Sequence, residues 1–409
     1  MTAPLLLSWI LGVLLCQLAV AAGLVLWRRH QRLEVATAPA EPAPEPADTA
    51  WPGWRDFRVA RREFEDAART QCSFTLEPVD GQPLPPFEPG QYLTFQLDSV
   101  LVPDVPDVAP RTITRCYSLS AAPQPAHYRI TVKRVPAPPG AMGVPAGASS
   151  NHLHDHVPAG SVLRVRAPAG HFHLDTTSEL PVVMVGGGVG ITPMACMLGW
   201  LQANQPQRPV HLYYGVRFGA EMAYPAWLRD TAAAHPALRL QRVFSQPAVG
   251  EEAGRDFEHA GRIDVDLLRR TLPAGRHVFY VCGPPAMMDT LVPALRGWGV
   301  AEGDLHFEAF GPASVRVPAA PGTAAATPVE FRRSARTLTW DGSDATLLDF
   351  AERHGVVVDA GCRAGACGAC QTRLLAGTLR YATPPDHSPP AGHGLLCVGR
   401  PAGPVTLYA

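Results

Sequence analysis

Four cysteines near the C-terminus, Cys362, Cys367, Cys370 and Cys397, are of the residue type and at the spacing that can hold iron. The first three form a C-x4-C-x2-C run that one distant thiol answers, a spacing that suits a 2Fe-2S cluster. Glycine or alanine fills nearly every position between them, so the backbone can close round a cluster and aim N–H groups at its sulfurs. A structural zinc site would be built from paired knuckles with two to four residues between ligands, which this run lacks. The chemistry expected is one-electron transfer.

Upstream, Arg115-Cys116-Tyr117-Ser118 combines a fixed cation, a flat aromatic ring and a hydroxyl. Arginine can fork onto a pyrophosphate, an aromatic ring can stack on an isoalloxazine, and a hydroxyl can hydrogen-bond its reactive nitrogen. Those are the needs of a flavin nucleotide, although four residues in an exposed strand would read the same. Further on, the Gly186 to Gly190 turn leads into Thr192-Pro193, an expected N-cap with proline at the first helical position. A glycine turn before a helix N-terminus suits a dinucleotide phosphate. It is not a strict G-x-G-x-x-G, and the next strand ends in Gly215-Val216-Arg217 with no Asp or Glu. Arg217 could take a 2'-phosphate, which leaves NADH and NADPH both open. His152, His154, His156, His171 and His173 are not read as a metal site, because no acidic or thiol cluster joins them.

These runs stand in order with Pro89-Gly90-Gln91-Tyr92, Gly147-Ala148-Ser149-Ser150-Asn151-His152-Leu153-His154, Tyr280-Val281-Cys282-Gly283-Pro284-Pro285 and Glu308-Ala309-Phe310-Gly311-Pro312. From about residue 52 to the end, the chain resembles the ferredoxin-NADP reductase superfamily. Its flavin half resembles the reductase part of flavohaemoglobins, which implies FAD rather than FMN. The fused C-terminal ferredoxin is similar to that of bacterial oxygenase reductase components, including the phenylacetyl-CoA epoxidase reductase type, and this inclines the reading to NADH. The resemblance implies Arg115 and Ser150 on the FAD pyrophosphate, Tyr117 on the flavin ring and Ser118 at the flavin N5 edge. It places Gly187, Gly188, Gly190, Thr192, Cys282, Gly283 and Pro284 round the nicotinamide nucleotide, with Glu308 and Phe310 closing over the flavin. Ser118, Cys282 and Glu308 are the catalytic candidates.

At 409 residues the chain is long enough for about three domains. Short β-branched and aromatic runs at 57–64, 72–76, 92–97, 128–135 and 162–165, separated by Pro/Gly turns, read as a barrel or sandwich. After Leu180, strands at 181–185, 210–214, 238–244 and 278–281 alternate with helical stretches and describe a parallel α/β sheet. The organisation expected is a transmembrane helix at 5–27, a Pro/Ala-rich linker at 28–51, an antiparallel β-barrel FAD domain at 52–177, an α/β NAD(P)-binding domain at 178–313, a linker at 314–327, and an α+β β-grasp ferredoxin domain at 328–409.

Residues 5–27 are apolar for long enough to span a hydrocarbon core of about 30 Å. Arg28, Arg29 and Arg32 follow, so the positive-inside rule puts the rest of the chain in the cytoplasm, on a single-pass protein of the inner membrane. A cleaved signal peptide would carry a basic n-region, which is missing, and would end before Leu24-Val25-Leu26-Trp27. With 35 basic against 36 acidic residues, no nucleic-acid partner is indicated. The five other cysteines, Cys16, Cys72, Cys116, Cys196 and Cys282, are scattered singly, as suits a reducing compartment. The expected function is a membrane-anchored reductase that takes hydride from NADH or NADPH and passes single electrons to a protein acceptor, which an anchor would suit if it were membrane-embedded. The alternatives are a reductase for a soluble acceptor and a non-turnover relay subunit of a larger membrane complex.

Overall fold

A computed structural model describes residues 51–100, 111–137, 146–310, 326–361, 363, 365, 368–381, 385 and 387–409. The expected membrane helix at 5–27, the linker at 28–51 apart from Trp51, most of the linker at 314–327, Gly311, Pro312, Cys362 and Cys367 lie outside the described residues. Among the described residues no helix is long and apolar enough to cross a membrane.

The first six strands are β1 (Arg55–Phe64), β2 (Gln71–Pro78), β3 (Tyr92–Val100), β4 (Arg111–Ser118), β5 (Tyr128–Lys133) and β6 (Val162–Ala169). They pair antiparallel in the order β4-β3-β6-β1-β2-β5, and a Leu119–Ile130 bridge joins the two ends of that order. The barrel therefore has few bare edges to protect. Alternate residues point inward, so Phe57, Phe74 and Phe95 are fully buried, each contributing about 2 kcal/mol of apolar burial. β6 runs past the expected 162–165 through a proline, because the four residues from Arg166 to Ala169 are set against the three from Tyr92 to Thr94. That bulge accepts Pro168, which has no N–H to give a ladder. The Ser149-Ser150-Asn151 run lies in a helix, Ala148–His156, which the sequence hid because its polar residues carry no apolar periodicity.

The next six strands are β7 (Val182–Gly187), β8 (Val210–Val216), β9 (Leu238–Phe244), β10 (His259–Ala260), β11 (Val278–Gly283) and β12 (Leu305–Ala309). All pair parallel, in the order β10-β9-β8-β7-β11-β12. β7 and β11 are buried on both faces, which is why they read as continuous apolar runs. Along β7 the faces alternate: Val182 and Met184 enter one core, Val183 and Val185 the other.

The last seven strands are β13 (Thr327–Phe331), β14 (Arg336–Trp340), β15 (Gln371–Ala376), β16 (Leu379–Tyr381), β17 (His393–Leu395), β18 (Gly399–Pro401) and β19 (Val405–Leu407). Five form a mixed sheet in the order β14-β13-β19-β15-β17, and β16 pairs with β18. The helix Leu347–Arg353 packs Leu347, Leu348, Phe350 and Ala351 into the core beside that sheet. Its N-cap Thr346 accepts from the Asp349 N–H through Oγ1 at 3.2 Å.

Candidate functional site

On the barrel, β4 carries the Arg-x-Tyr-Ser run along its pairing with β3, opposite Phe95, Leu93 and Tyr92. Arg115 donates through Nη1 to the Thr114 carbonyl at 2.7 Å and to the Ala360 carbonyl at 2.8 Å. Both bonds leave from one nitrogen, so the fork of the guanidinium remains suited to a phosphate. The Tyr117 hydroxyl meets Ser149 Oγ at 2.6 Å, and burial pushes its phenol up to about 12. Ser118 is buried, 4 % exposed. Ser150 differs from the expected pyrophosphate contact in where its hydroxyl is committed: Oγ donates to the Gly147 carbonyl at 3.2 Å and accepts from the Val135 N–H at 3.3 Å. Its place in the first turn of the Ala148–His156 helix still lines backbone N–H groups up for an anion.

Across the domain boundary, Gly186 on β7, Cys282 on β11 and Glu308 on β12 fall on one register row, since Cys282 pairs with both others. Ser118 Oγ donates to Glu308 Oε2 at 3.4 Å, so the barrel serine and the sheet carboxylate meet. Burial pushes the Cys282 thiol well up, and the Glu308 charge adds to it, so the sulfur stays protonated at neutral pH. Phe310, just past β12, packs on the nucleotide-sheet core.

The glycine turn is a 3-10 segment, Gly188–Gly190, continuous with the helix Ile191–Asn204. The helix thus begins before the expected Thr192-Pro193 cap, and Gly190 is the N-cap residue. The reason is that the tight turn feeds directly into it, leaving Thr192 Oγ1 to donate back to the Val189 carbonyl at 2.9 Å and Pro193 among the N–H groups that no helix bond uses. A Cβ on Gly190 would sit 2.1 Å from the Cys282 carbonyl oxygen, so only glycine lets the turn close on β11. Gly188 has φ +54°, the left-handed region. Gly187 lies against Gly283 and Pro284.

Two cations and a carbonyl escaped the sequence. Lys133, at the end of β5, brings Nζ to 3.7 Å from where a Gly188 Cβ would stand, setting a barrel charge against the glycine turn. Being the sole lysine of the chain was the signal available. Arg363, inside the cysteine run, pairs with Glu352 and with Asp349 at 3.7 Å, which ties that loop to the Leu347–Arg353 helix. The Ala360 carbonyl, met by Arg115, could not be found from side-chain types.

Of the four cysteines expected to hold a cluster, Cys370 and Cys397 are described and come together, both buried, with sulfurs 3.0 Å apart. That is too long for a disulfide, and the Cys397 N–H donates to the Cys370 sulfur at 3.4 Å. Two converging thiols with a backbone donor fit one side of an iron-sulfur cluster.

Residues 184–292 match the profile of an oxidoreductase NAD-binding domain, and residues 329–402 that of a 2Fe-2S iron-sulfur cluster binding domain. A flavohemoprotein of Chromobacterium violaceum is 39 % identical over 265 residues, covering 65 % of this chain and 62 % of that protein. The chain thus spans less than two thirds of the length of the flavohemoproteins it matches. The flavohem-like FAD/NAD-binding domain of a nitric oxide dioxygenase from Vibrio cholerae is 31 % identical, with a TM-score of 0.53, over 63 % of this chain and 99 % of that domain. Phthalate dioxygenase reductase, described as a modular structure for electron transfer from pyridine nucleotides to [2Fe-2S], is 27 % identical, with a TM-score of 0.50, over 87 % of this chain and 98 % of that one. Its cofactors are accordingly FAD, a nicotinamide nucleotide and a 2Fe-2S cluster, and the chain belongs to the family of flavohaemoglobin-type FAD/NAD-binding reductase modules, here fused to a 2Fe-2S ferredoxin domain as an NAD(P)H-dependent flavin and iron-sulfur reductase.

Proposed function

We propose that the chain is a membrane-tethered electron-transfer component that delivers single electrons from its cluster to a partner protein such as an oxygenase, hydroxylase or desaturase. The observation that carries the intramolecular part is the Arg115–Ala360 hydrogen bond, which joins the flavin strand to the residue two positions before Cys362. Bound FAD supplies the exchange between two-electron hydride chemistry and the single-electron chemistry of a 2Fe-2S cluster. In this reading Arg115 holds the FAD pyrophosphate, with the Ser150 turn beside it, and Tyr117 covers the flavin ring. Ser118 would set its hydroxyl oxygen at the flavin N5 edge while Glu308 takes its proton and orients it, and Cys282 would pack a neutral sulfur where the nicotinamide arrives. Gly187, Gly188, Gly190, Thr192, Gly283 and Pro284 shape the nucleotide groove, and Phe310 excludes water. Cys362, Cys367, Cys370 and Cys397 hold the cluster.

The membrane part rests on the apolar run at 5–27 and the arginines after it, which favour an inner-membrane anchor with the catalytic domains cytoplasmic. An anchor confines the reductase and a membrane-embedded acceptor to one surface. The experiment is to extract the full chain in detergent, measure NAD(P)H-driven reduction of cytochrome c, and identify the proteins that copurify. Reduction of the flavin without reduction of cytochrome c would remove electron delivery. A C-terminal reporter active only after export would remove the cytoplasmic placement.

A further inference from the structure

β8 ends at Val216 without an acidic residue, but the fold supplies one five residues later. Arg217 follows β8 directly, and its Nε lies 3.0 Å from both Oε1 and Oε2 of Glu221, while Nη2 closes a further bond to Oε1. The two partners are unequally buried: the Arg217 side chain is 61 % exposed and that of Glu221 only 6 %. The Arg217 guanidinium, with a smaller contribution from the Lys133 charge, holds the Glu221 carboxyl below its usual range.

The loop that carries the pair is fastened to the barrel. Gln71 Nε2 donates to the Glu221 carbonyl at 2.8 Å, the Ala68 N–H to the Ala220 carbonyl at 2.8 Å, and the Tyr224 N–H to the Glu65 carbonyl at 3.0 Å. On its other side stands the Glu251 carboxylate, which accepts from the Gly219 and Ala248 N–H groups at 2.7 Å each. Nearby, Arg242 is matched by Glu258 at 2.7 Å, and Arg255 by Asp256 at 2.7 Å and Glu252 at 3.0 Å. Among the described residues, Lys133 is a second cation whose charge reaches Glu221, and its Nζ lies at Gly188 by the glycine turn.

Open parallel sheets take nucleotides at the carboxyl ends of their strands, and the residues that end the strand beside the glycine turn meet the adenosine ribose. A ribose diol there needs an acceptor, whereas a 2'-phosphate needs an unmatched cation. We propose that the Arg217–Glu221 pair, with Glu251 behind it, is the coenzyme selector of this reductase and sets its preference for NADH over NADPH. Drawing Arg217 onto a 2'-phosphate would strand a nearly buried carboxylate, which is costly, while NADH leaves the pair intact. The inference rests on the reductase reading above.

The test uses the full FAD-loaded chain in detergent, with ferricyanide as acceptor, and compares kcat/KM for the two coenzymes. The wild type favours NADH by about tenfold or more, and Glu221→Gln lowers that ratio by about tenfold through a gain with NADPH. Adding Arg217→Ala to Glu221→Gln removes the gain, because the gain needs the released guanidinium. Independently of any variant, 5'-AMP competes with NADH at least about tenfold better than 2',5'-ADP in the wild type. A wild type that prefers NADPH, a stronger inhibition by 2',5'-ADP, or an unchanged ratio in an FAD-replete Glu221→Gln protein overturns the selector and leaves the reductase standing. If neither coenzyme reduces the flavin, the reductase reading falls with it.

Discussion

Arg115 Nη1 lies 2.8 Å from the Ala360 carbonyl oxygen, so a flavin-strand residue touches the chain two positions ahead of the first cluster cysteine. The ferredoxin domain and the flavin strand thus touch in this structure, through a backbone carbonyl that no residue pattern advertises. One guanidinium therefore has two duties in the proposed scheme, holding the flavin and seating the cluster loop.

Arg115→Lys separates those duties. Lysine keeps the charge but loses the planar fork, so FAD retention after gel filtration falls about tenfold or more. With FAD restored in excess, stopped-flow reduction of the cluster by NADH stays slower than in wild type, because the contact with Ala360 is also weakened. Recovery of the full rate on adding FAD would mean that the contact does not serve electron transfer.

Cys397→Ser tests the modular order. Removing one of two converging thiols eliminates bound iron and acid-labile sulfide, and with them cytochrome c reduction. Hydride transfer depends on the barrel and the parallel sheet, so NADH-driven bleaching of the flavin stays within about twofold of wild type. Equal loss of both activities would break the proposed separation of the two halves.

Gly190→Ala places a methyl group where the Cys282 carbonyl oxygen already stands, at 2.1 Å. The turn must shift, at a cost of about 1–3 kcal/mol in overpacking. NADH-dependent flavin reduction drops by about two orders of magnitude, because misplacement of the reacting geometry by about 1 Å costs that much, while FAD content is retained. An active Gly190→Ala protein would remove the turn from the nucleotide site.

The sequence announced the parts that rest on residue type and spacing. The approach of Cys370 to Cys397, the strand that carries Arg-x-Tyr-Ser and the glycine turn were legible, as was the parallel sheet, whose β7 and β11 are buried on both faces and so lack alternation. Illegible were relations made by folding distant segments together. Glu221 looks like a loop acid until a 3-10 turn brings it back onto Arg217, and Lys133 looks like any strand residue until β5 ends beside Gly188. The polar helix Ala148–His156 was hidden for a different reason: its stability comes from where it packs, with Leu153 fully buried in the barrel core, rather than from a periodic apolar face.

Cys196 gives a prediction about pH. It sits in the helix Ile191–Asn204 yet packs with the barrel core, so its sulfur is sealed at the boundary between the two domains. Burial pushes its thiol from about 9 up to about 12. The unfolded chain releases this proton near pH 9 while the native chain keeps it, so the unfolded state binds fewer protons above that pH. Stability is then full below about pH 9 and falls as pH rises towards 12, by about 1 kcal/mol per pH unit from this group. Cys282, raised by burial and by the Glu308 charge, adds a loss of the same sign. Urea unfolding of the full chain, followed from pH 8 to 11, should show this decline. Cys196→Ala should be less stable at pH 8, by about 1 kcal/mol for the lost packing, but should decline less steeply above pH 9. Parallel slopes for the two proteins would show that the thiol does not titrate on unfolding, and that the domain boundary admits water.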